Sequence, residues 1–222
     1  MMPVWLIASN FMREQRWFIA LMLLYIAGVT TLMVIAGHDP ETLLILKQEA
    51  LYGIFFAVVI AVAFFQNERK TRRIIAVLSK AVSRRQYVAG AILGVNLTTL
   101  TFYAGVSISL FVLYPDARVR GAAQFLAHLV VACLLASVVT VFYSTFLHPL
   151  VATLAAGLTL VAPMIAERLG GPHWAVVLPV YALLRSALRY HPEAPFAAEP
   201  GVLLLAALEC VVLWIFASWI FA

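Results

Sequence analysis

Charge is what this sequence has least of. Asp, Glu, Lys and Arg together make up 11% of its 222 residues, whereas 64% are hydrophobic. A soluble domain usually carries about 25% charged residues, and no soluble core of this size could bury so much apolar side chain. The composition therefore excludes an ordinary soluble protein and predicts an integral membrane protein.

Cysteine and metal-ligating patterns are scarce as well. The two cysteines, Cys133 and Cys210, lie inside apolar runs and form neither a metal-binding spacing nor a disulfide framework. The five histidines show no metal spacing either. Only His128 and Glu209 are ionisable residues well inside apolar runs, whereas an intramembrane enzyme would cluster several of them at one depth. We therefore predict no metal site and no catalytic residue.

A phosphate-binding loop is also missing. None of the eleven glycines precedes a lysine, so the pattern Gly-x-x-x-x-Gly-Lys-[Ser/Thr] does not occur. We do not expect this chain to bind and hydrolyse ATP by that route, and we predict no cofactor of its own.

Long apolar runs dominate what is present. Crossing a bilayer takes about 20 apolar residues, and six runs reach or approach that length: 17–37, 50–65, 87–114, 121–147, 150–166 and 202–222. Six spans put both termini on one side. Nine Lys and Arg residues then share the side of the termini and six lie opposite. The positive-inside rule therefore predicts cytoplasmic termini.

Two segments do not fit a span. Residues 1–16 carry apolar side chains at helical spacing, namely Val4, Ile7, Ala8, Phe11 and Met12. With Trp5 beside it, this stripe predicts an amphipathic helix in the membrane interface. Residues 167–200 contain an apolar stretch that is interrupted by Pro179 and is too short to cross. We expect one or two re-entrant or interfacial helices there.

Two charged residues, Lys47 and Glu49, precede the second apolar run. They lie near the membrane surface, where they could pair or snorkel.

The middle of the chain holds a basic segment. Seven of residues 68–87 are Lys or Arg. Between them runs a second apolar stripe at helical spacing: Ile74, Val77, Leu78, Ala81 and Val82. Two interpretations are open. The helix could rest on anionic lipid, each basic residue contributing about 1 kcal/mol, or it could dock into a groove on a soluble partner.

The order of these features resembles the ABC-2 type permeases, the membrane subunits of one class of ATP-binding cassette exporter. Glu68 stands where that family ends its second span with an acidic residue, and AVSR (81–84) stands at its Pro-Val-Ser-Arg-like turn. Gly90 falls at the distance of its Gly-Lys pair, although Ala91 replaces the lysine. FMREQRW (11–17) resembles the family's N-terminal helix, and LPVYALLRSAL (178–188) resembles its broken outer segment.

The resemblance implies an all-α integral membrane fold in one permease domain over residues 1–222. Its parts would be six transmembrane helices, an N-terminal interfacial helix (1–16), a cytoplasmic coupling-helix loop (68–87) and an outer re-entrant segment (167–200). The implied function is that of an exporter permease in the bacterial inner membrane, which forms the substrate pathway. Its implied partners are a separate ATPase subunit that binds ATP and Mg, a second permease chain in a homo- or heterodimer, and membrane lipids, but no nucleic acid.

The apolar stripe, the carboxyl of Glu209 inside the last apolar run and the resemblance together indicate candidate site residues. The ATPase would dock on residues 72–85, through Arg73, Ile74, Val77, Leu78, Ala81, Val82 and Arg84. A gate or pathway would involve Glu209 with Arg185, Arg189 and Tyr181. For Glu209 three roles are open: helix packing, a latch to Arg185 or Arg189, and contact with substrate.

Two further questions stay open at the level of sequence. Gly90 and Gly94 form a Gly-x-x-x-Gly pattern that lets helices approach closely, either within one chain or between two. The chain could also be a membrane anchor or scaffold that recruits a soluble partner without transport. A scaffold would keep the docking helix but would have no gated cavity, and the sequence does not identify a transported substrate.

Overall fold

Helices form all the regular structure in the described part of the chain. A computed structural model describes residues 2–37, 40–71, 82–113, 119–170 and 200–220. Seven helices occupy these ranges, without a strand: α1 (Met2–Glu14), α2 (Arg16–Ala36), α3 (Pro40–Thr71), α4 (Arg84–Leu113), α5 (Val119–Phe146), α6 (Pro149–Arg168) and α7 (Pro200–Ile220). The prediction of an all-α fold is confirmed.

Four of these helices are long and apolar enough to cross a membrane. They are α2 over its whole length, Leu51–Glu68 of α3, α4 over its whole length, and Leu129–Phe146 of α5. Helices α6 and α7 coincide with the fifth and sixth predicted spans, but their described apolar stretches, Pro149–Ala162 and Leu204–Ile220, are shorter. Four apolar helices fit a membrane protein, as the composition predicts.

Helix α4 lies at the centre of the bundle. It packs against α1, α2, α3, α5 and α7. Its buried residues cover most of its circumference and include several small ones, such as Gly90, Ala91 and Gly94. Leu100 and Ile108 are exposed, so one side of the helix stays open. A helix with a broad apolar surface is suited to a position among several neighbours.

Hydrogen bonds and ring contacts set the register of the helices around α4. The hydroxyls of Thr30 on α2 and Ser109 on α4 lie 2.6 Å apart. The Phe56 ring of α3 meets Phe102 of α4 edge to face, with centroids 5.2 Å apart. On the α5 side, Asn96 Nδ2 donates to Ser137 Oγ at 2.9 Å. A second contact for each pair gives the direction: Gly105 meets Ile26, Tyr87 bonds to Glu68, and Tyr103 bonds to Cys133. Helix α2 therefore runs parallel to α4, and α3 and α5 run antiparallel to it.

The connection between α5 and α6 is as tight as the sequence predicts. Helix α5 ends at Phe146 and α6 begins at Pro149, so Leu147 and His148 alone join them. The Leu147 N–H still bonds to the Tyr143 carbonyl, and the Ala152 N–H bonds to the His148 carbonyl. Proline suits the first helical position because its missing N–H would have no partner there.

Helix α1 packs on α4 through its apolar stripe. Ala8 and Phe11 are fully buried, whereas Trp5 and Leu6 on the other side are more than half exposed. Part of the stripe that predicts an interfacial helix therefore faces protein. The chain turns at Gln15 directly from α1 into α2.

Two glycines of α4 permit this contact. A Cβ at Gly90 would lie 2.8 Å from the Cβ of Ile7, and one at Gly94 would lie 2.8 Å from Cγ of Phe11. Neither neighbour is the flexible end of a long side chain, so added methyl groups would push α1 outward. The Gly-x-x-x-Gly pattern thus lies at a helix contact within one chain.

We expect Gly90→Ala and Gly94→Ala to lower stability by about 1–3 kcal/mol each, the usual effect of overpacking. Gly157→Ala on α6 is the matched control, because no atom lies within 4 Å of its new Cβ. Alanine is a better helix former than glycine at all three positions, by up to about 1 kcal/mol. The difference in stability between the α4 variants and the control therefore measures the clash of the new methyl groups with α1. Thermal unfolding in detergent measures it. Equal melting temperatures for the three variants would contradict the close α1–α4 contact.

Candidate partner-docking site

Helix α3 ends in the basic segment, and helix α4 begins in it. With 32 and 30 residues, they measure about 48 Å and about 45 Å at 1.5 Å per residue. The hydrocarbon core of a bilayer is only about 30 Å thick. Each helix can therefore cross it with residues to spare. In α3 the apolar stretch ends at Glu68, so only residues 69–71 of the helix follow it on the side of the basic segment.

A buried hydrogen bond joins the two helices at this end. The Tyr87 hydroxyl donates to Glu68 Oε2 at 2.9 Å. Glu68 is 5% exposed and Tyr87 is 2% exposed, so the bond forms out of contact with water. It links the two ends of the basic segment, because Glu68 lies near the end of α3 and Tyr87 near the start of α4.

Aromatic rings surround this bond. Phe64 stacks on Tyr87 with ring centroids 6.2 Å apart, and Phe11 of α1 lies 4.8 Å from Phe64. Helices α1, α3 and α4 thus meet at one cluster. We call Phe11, Phe64, Glu68 and Tyr87 the loop base.

Side-chain hydrogen bonds fix the start of α4. The Ser83 Oγ accepts from the Gln86 N–H at 3.3 Å, and the Ser83 N–H donates to Gln86 Oε1 at 3.1 Å. This reciprocal pair is a capping box with glutamine in the fourth position. The serine of the AVSR turn therefore begins the helix, and Arg84 follows as its first residue with an exposed side chain.

The structure describes two of the seven predicted docking residues. Val82 is half-buried and packs against the hydrophobic core, so only part of its side chain is open to a partner. Arg84 is exposed and accessible. The other five lie outside the described residues: Arg73, Ile74, Val77, Leu78 and Ala81.

The predicted gate residues are described only in part. Glu209 lies on α7, where it is half-buried and shares a helix face with the buried Ala206. Tyr181, Arg185 and Arg189 lie outside the described residues. The described part of the chain therefore leaves all three roles of Glu209 open.

The sequence pattern does not reveal Tyr87 as the partner of Glu68. Both residues bound the basic segment, but a tyrosine at the start of an apolar run equally suits an interfacial anchor. Only the antiparallel packing of α3 on α4 brings the two side chains together.

We expect Tyr87→Phe to destabilise the protein by about 1–3 kcal/mol, because the buried Glu68 loses a donor. Tyr143→Phe is the control: its hydroxyl bonds to Thr159 on an exposed side, and such surface changes usually stay within about 0.5 kcal/mol. Thermal unfolding of both purified variants gives the comparison. Equal losses of stability in the two variants would show that the Glu68–Tyr87 bond stabilises the protein no more than a surface hydrogen bond does.

A second carboxyl, Glu49, is buried against other helices, although its predicted position near the membrane surface would allow an exposed side chain. It lies two residues before the apolar stretch of α3 and is 1% exposed, so it does not snorkel. Neither carboxylate oxygen has a hydrogen-bond partner among the described side chains, and the side chain of Lys47, its predicted partner, lies outside them. Burial raises the pKa of Glu49 to about 7, because removal from water disfavours the charged form.

This shift makes stability fall as pH rises. The Glu49 pKa goes from 4.5 to about 7 on folding, so the folded state keeps its proton where the unfolded state has lost it. Stability is then lost between these two values. We expect Glu49→Gln to raise the melting temperature at pH 8 and to change it little at pH 4. Glu14→Gln, at an exposed carboxyl, should change neither. A gain of equal size at both pH values would contradict this account.

Comparison with known proteins does not identify the chain: no family model and no curated protein matches it. Within the described residues, no three His, Cys, Asp or Glu side chains lie close enough together to hold a metal ion. In the described residues, the buried Glu68–Tyr87 hydrogen bond braces the end of α3 against the start of α4, and Arg84 and Arg85 are exposed beside it.

Proposed function

We propose that this chain is the permease subunit of an ABC exporter of the ABC-2 type. In this proposal it crosses the bacterial inner membrane six times, with both termini in the cytoplasm, and residues 72–85 couple it to a separate ATPase subunit. The proposal rests mainly on the loop base. The basic segment joins two long apolar helices, and the buried Glu68–Tyr87 bond links the ends of those helices on either side of the segment.

The loop base suits the transmission of force. A partner that binds the basic segment would move the ends of α3 and α4 as a pair, because the Glu68–Tyr87 bond resists their separation. Helix α4 in turn contacts α1, α2, α5 and α7. A shift of α4 would therefore reach most of the described bundle, as rigid-body alternating access requires.

The remaining parts follow from the same proposal. A second permease chain completes the pathway, and the ATPase supplies ATP and Mg. Segment 167–200 forms the outer gate. Glu209 lies nine residues after the start of α7 at Pro200, about 14 Å along the helix axis. That depth is within reach of a segment folding back from the outer surface, which supports the latch to Arg185 or Arg189.

Leu78→Asp tests the docking role directly. It places a charge in the apolar stripe of residues 72–85, so we expect loss of the co-purifying ATPase or of its substrate-stimulated ATP hydrolysis by more than tenfold. Leu78→Met is the matched control and should behave like the wild type. Arg84→Glu should have a smaller effect that depends on salt, because a charge at the rim mainly changes association rate.

Three outcomes bear on the proposal. If Leu78→Asp retains the partner and full turnover, the docking role is wrong and the segment rests on lipid. If the wild type binds a soluble partner but no substrate stimulates ATP hydrolysis in the reconstituted complex, the chain is a scaffold. Labelling of a cysteine at position 80 from outside the cell would overturn the orientation, and with it the transporter proposal.

A further inference from the structure

An apolar groove runs along α4 on the side of α1 and α7. It has a volume of about 370 Å³, within the range of roughly 300–1,000 Å³ that is usual for small-molecule sites. Val4 of α1, Ala89, Ile92 and Leu93 of α4, and Val211 and Trp214 of α7 line it. We call it the α4 groove. It is open along one side, so a long chain could enter it laterally.

One end of the α4 groove carries positive charge. Arg85 precedes the lining residue Ala89 by one helical turn and therefore lies on the same face of α4. Its side chain is exposed, and the Trp214 indole N–H bonds to its backbone carbonyl at 3.4 Å. The first turn of α4 adds the positive end of the helix dipole at this point.

The α4 groove extends from Arg85 over about the thickness of one leaflet. The deepest polar lining residue, Asn96, follows Arg85 by eleven positions, which corresponds to about 16 Å along α4. Half of a hydrocarbon core is about 15 Å. Asn96 directs its N–H groups to the Ile92 carbonyl and to Ser137 Oγ, so these donors are already used.

We propose that the α4 groove binds an anionic phospholipid of the cytoplasmic leaflet, with one acyl chain along Ala89, Leu93 and Val211 and the phosphate at Arg85. Basic side chains next to apolar clefts at the cytoplasmic ends of spans commonly hold such headgroups. The inference relies on the membrane placement proposed above, but it does not depend on transport or on an ATPase.

The shape of the groove favours a lipid over a helix from a second copy. Helices associate in lipid mainly through small residues that let backbones approach. Here Ala89 is the one Gly, Ala, Ser or Thr among the ten described lining residues, and Ile92, Leu93 and Trp214 are bulky, so the helices leave a channel between them. A chain with one anionic end matches both the apolar channel and the charge at its mouth.

Native mass spectrometry of the full chain, released from detergent, tests the proposal. The probes are dioleoyl phosphatidylglycerol, which is anionic, and dioleoyl phosphatidylcholine, which carries no net charge. We expect the wild type to prefer phosphatidylglycerol. Arg85→Gln should weaken that binding by about tenfold, the effect of losing one charge-assisted hydrogen bond. The matched control is Arg13→Gln, which removes the same charge from an exposed position on α1.

A second pair of variants tests the acyl chain. Val211→Trp fills the groove from a position that is 52% exposed and so leaves the packed core intact. It should reduce binding by at least tenfold. Val212→Trp, at the next residue and 41% exposed, lies outside the groove lining and should bind like the wild type.

The outcomes separate the possible occupants. Equal wild-type binding of both lipids, or equal effects of Arg85→Gln and Arg13→Gln, would overturn recognition of the anionic headgroup. Equal binding by Val211→Trp and Val212→Trp would overturn the groove as the site. A Val211→Trp variant that loses dimers while it keeps its lipid would instead assign the groove to a second copy. These lipid-binding measurements contain no ATPase, so they can succeed even if the proposed coupling to an ATPase is wrong.

Discussion

The close packing of other helices on α4 is the constraint on which the rest of the structure depends. Membrane helices gain little from hydrophobic burial, because lipid tails are as apolar as leucine, so they associate through close van der Waals contact and hydrogen bonds. Gly90 and Gly94 let α1 lie directly against α4. At Gly53, α3 approaches so closely that its missing side chain leaves room for the Tyr103 ring. Small residues thus decide which helices can surround α4.

Buried polar side chains then set how these helices align. Thr30 with Ser109, and Asn96 with Ser137, bridge pairs of helices within apolar surroundings. Each of these side chains also bonds to a carbonyl of its own helix, as Thr30 does to Ile26. Sliding one helix past another would therefore lose the interhelical bond but not every partner. The Glu68–Tyr87 bond belongs to the same class. It differs in its position, since Glu68 and Tyr87 are the first and last residues of the basic segment.

Helix α4 also connects the two candidate sites. Its first turn contains Arg84, part of the proposed docking surface, and Arg85, at the mouth of the α4 groove. Val4 from α1 lines that groove, and Phe11 from the same helix reaches the loop base. A lipid in the groove would therefore contact the helix that supports the proposed coupling segment. Headgroup binding and partner binding would meet within one turn of α4.

The sequence by itself determined the all-helical class of the protein and where most of the described helices lie. Apolar runs have to become helices in a membrane because only a helix satisfies all its backbone hydrogen bonds internally, and α2, α4 and α5 begin and end within a few residues of the predicted spans. Only the tertiary structure decided which side chains meet. The partner of Glu68, the burial of Glu49 and the protein-facing stripe of α1 all depend on how neighbouring helices rotate and cross. Hydrophobic periodicity cannot specify that rotation in a bundle that is apolar on nearly every face, because there each face of a helix is equally suited to protein and to lipid.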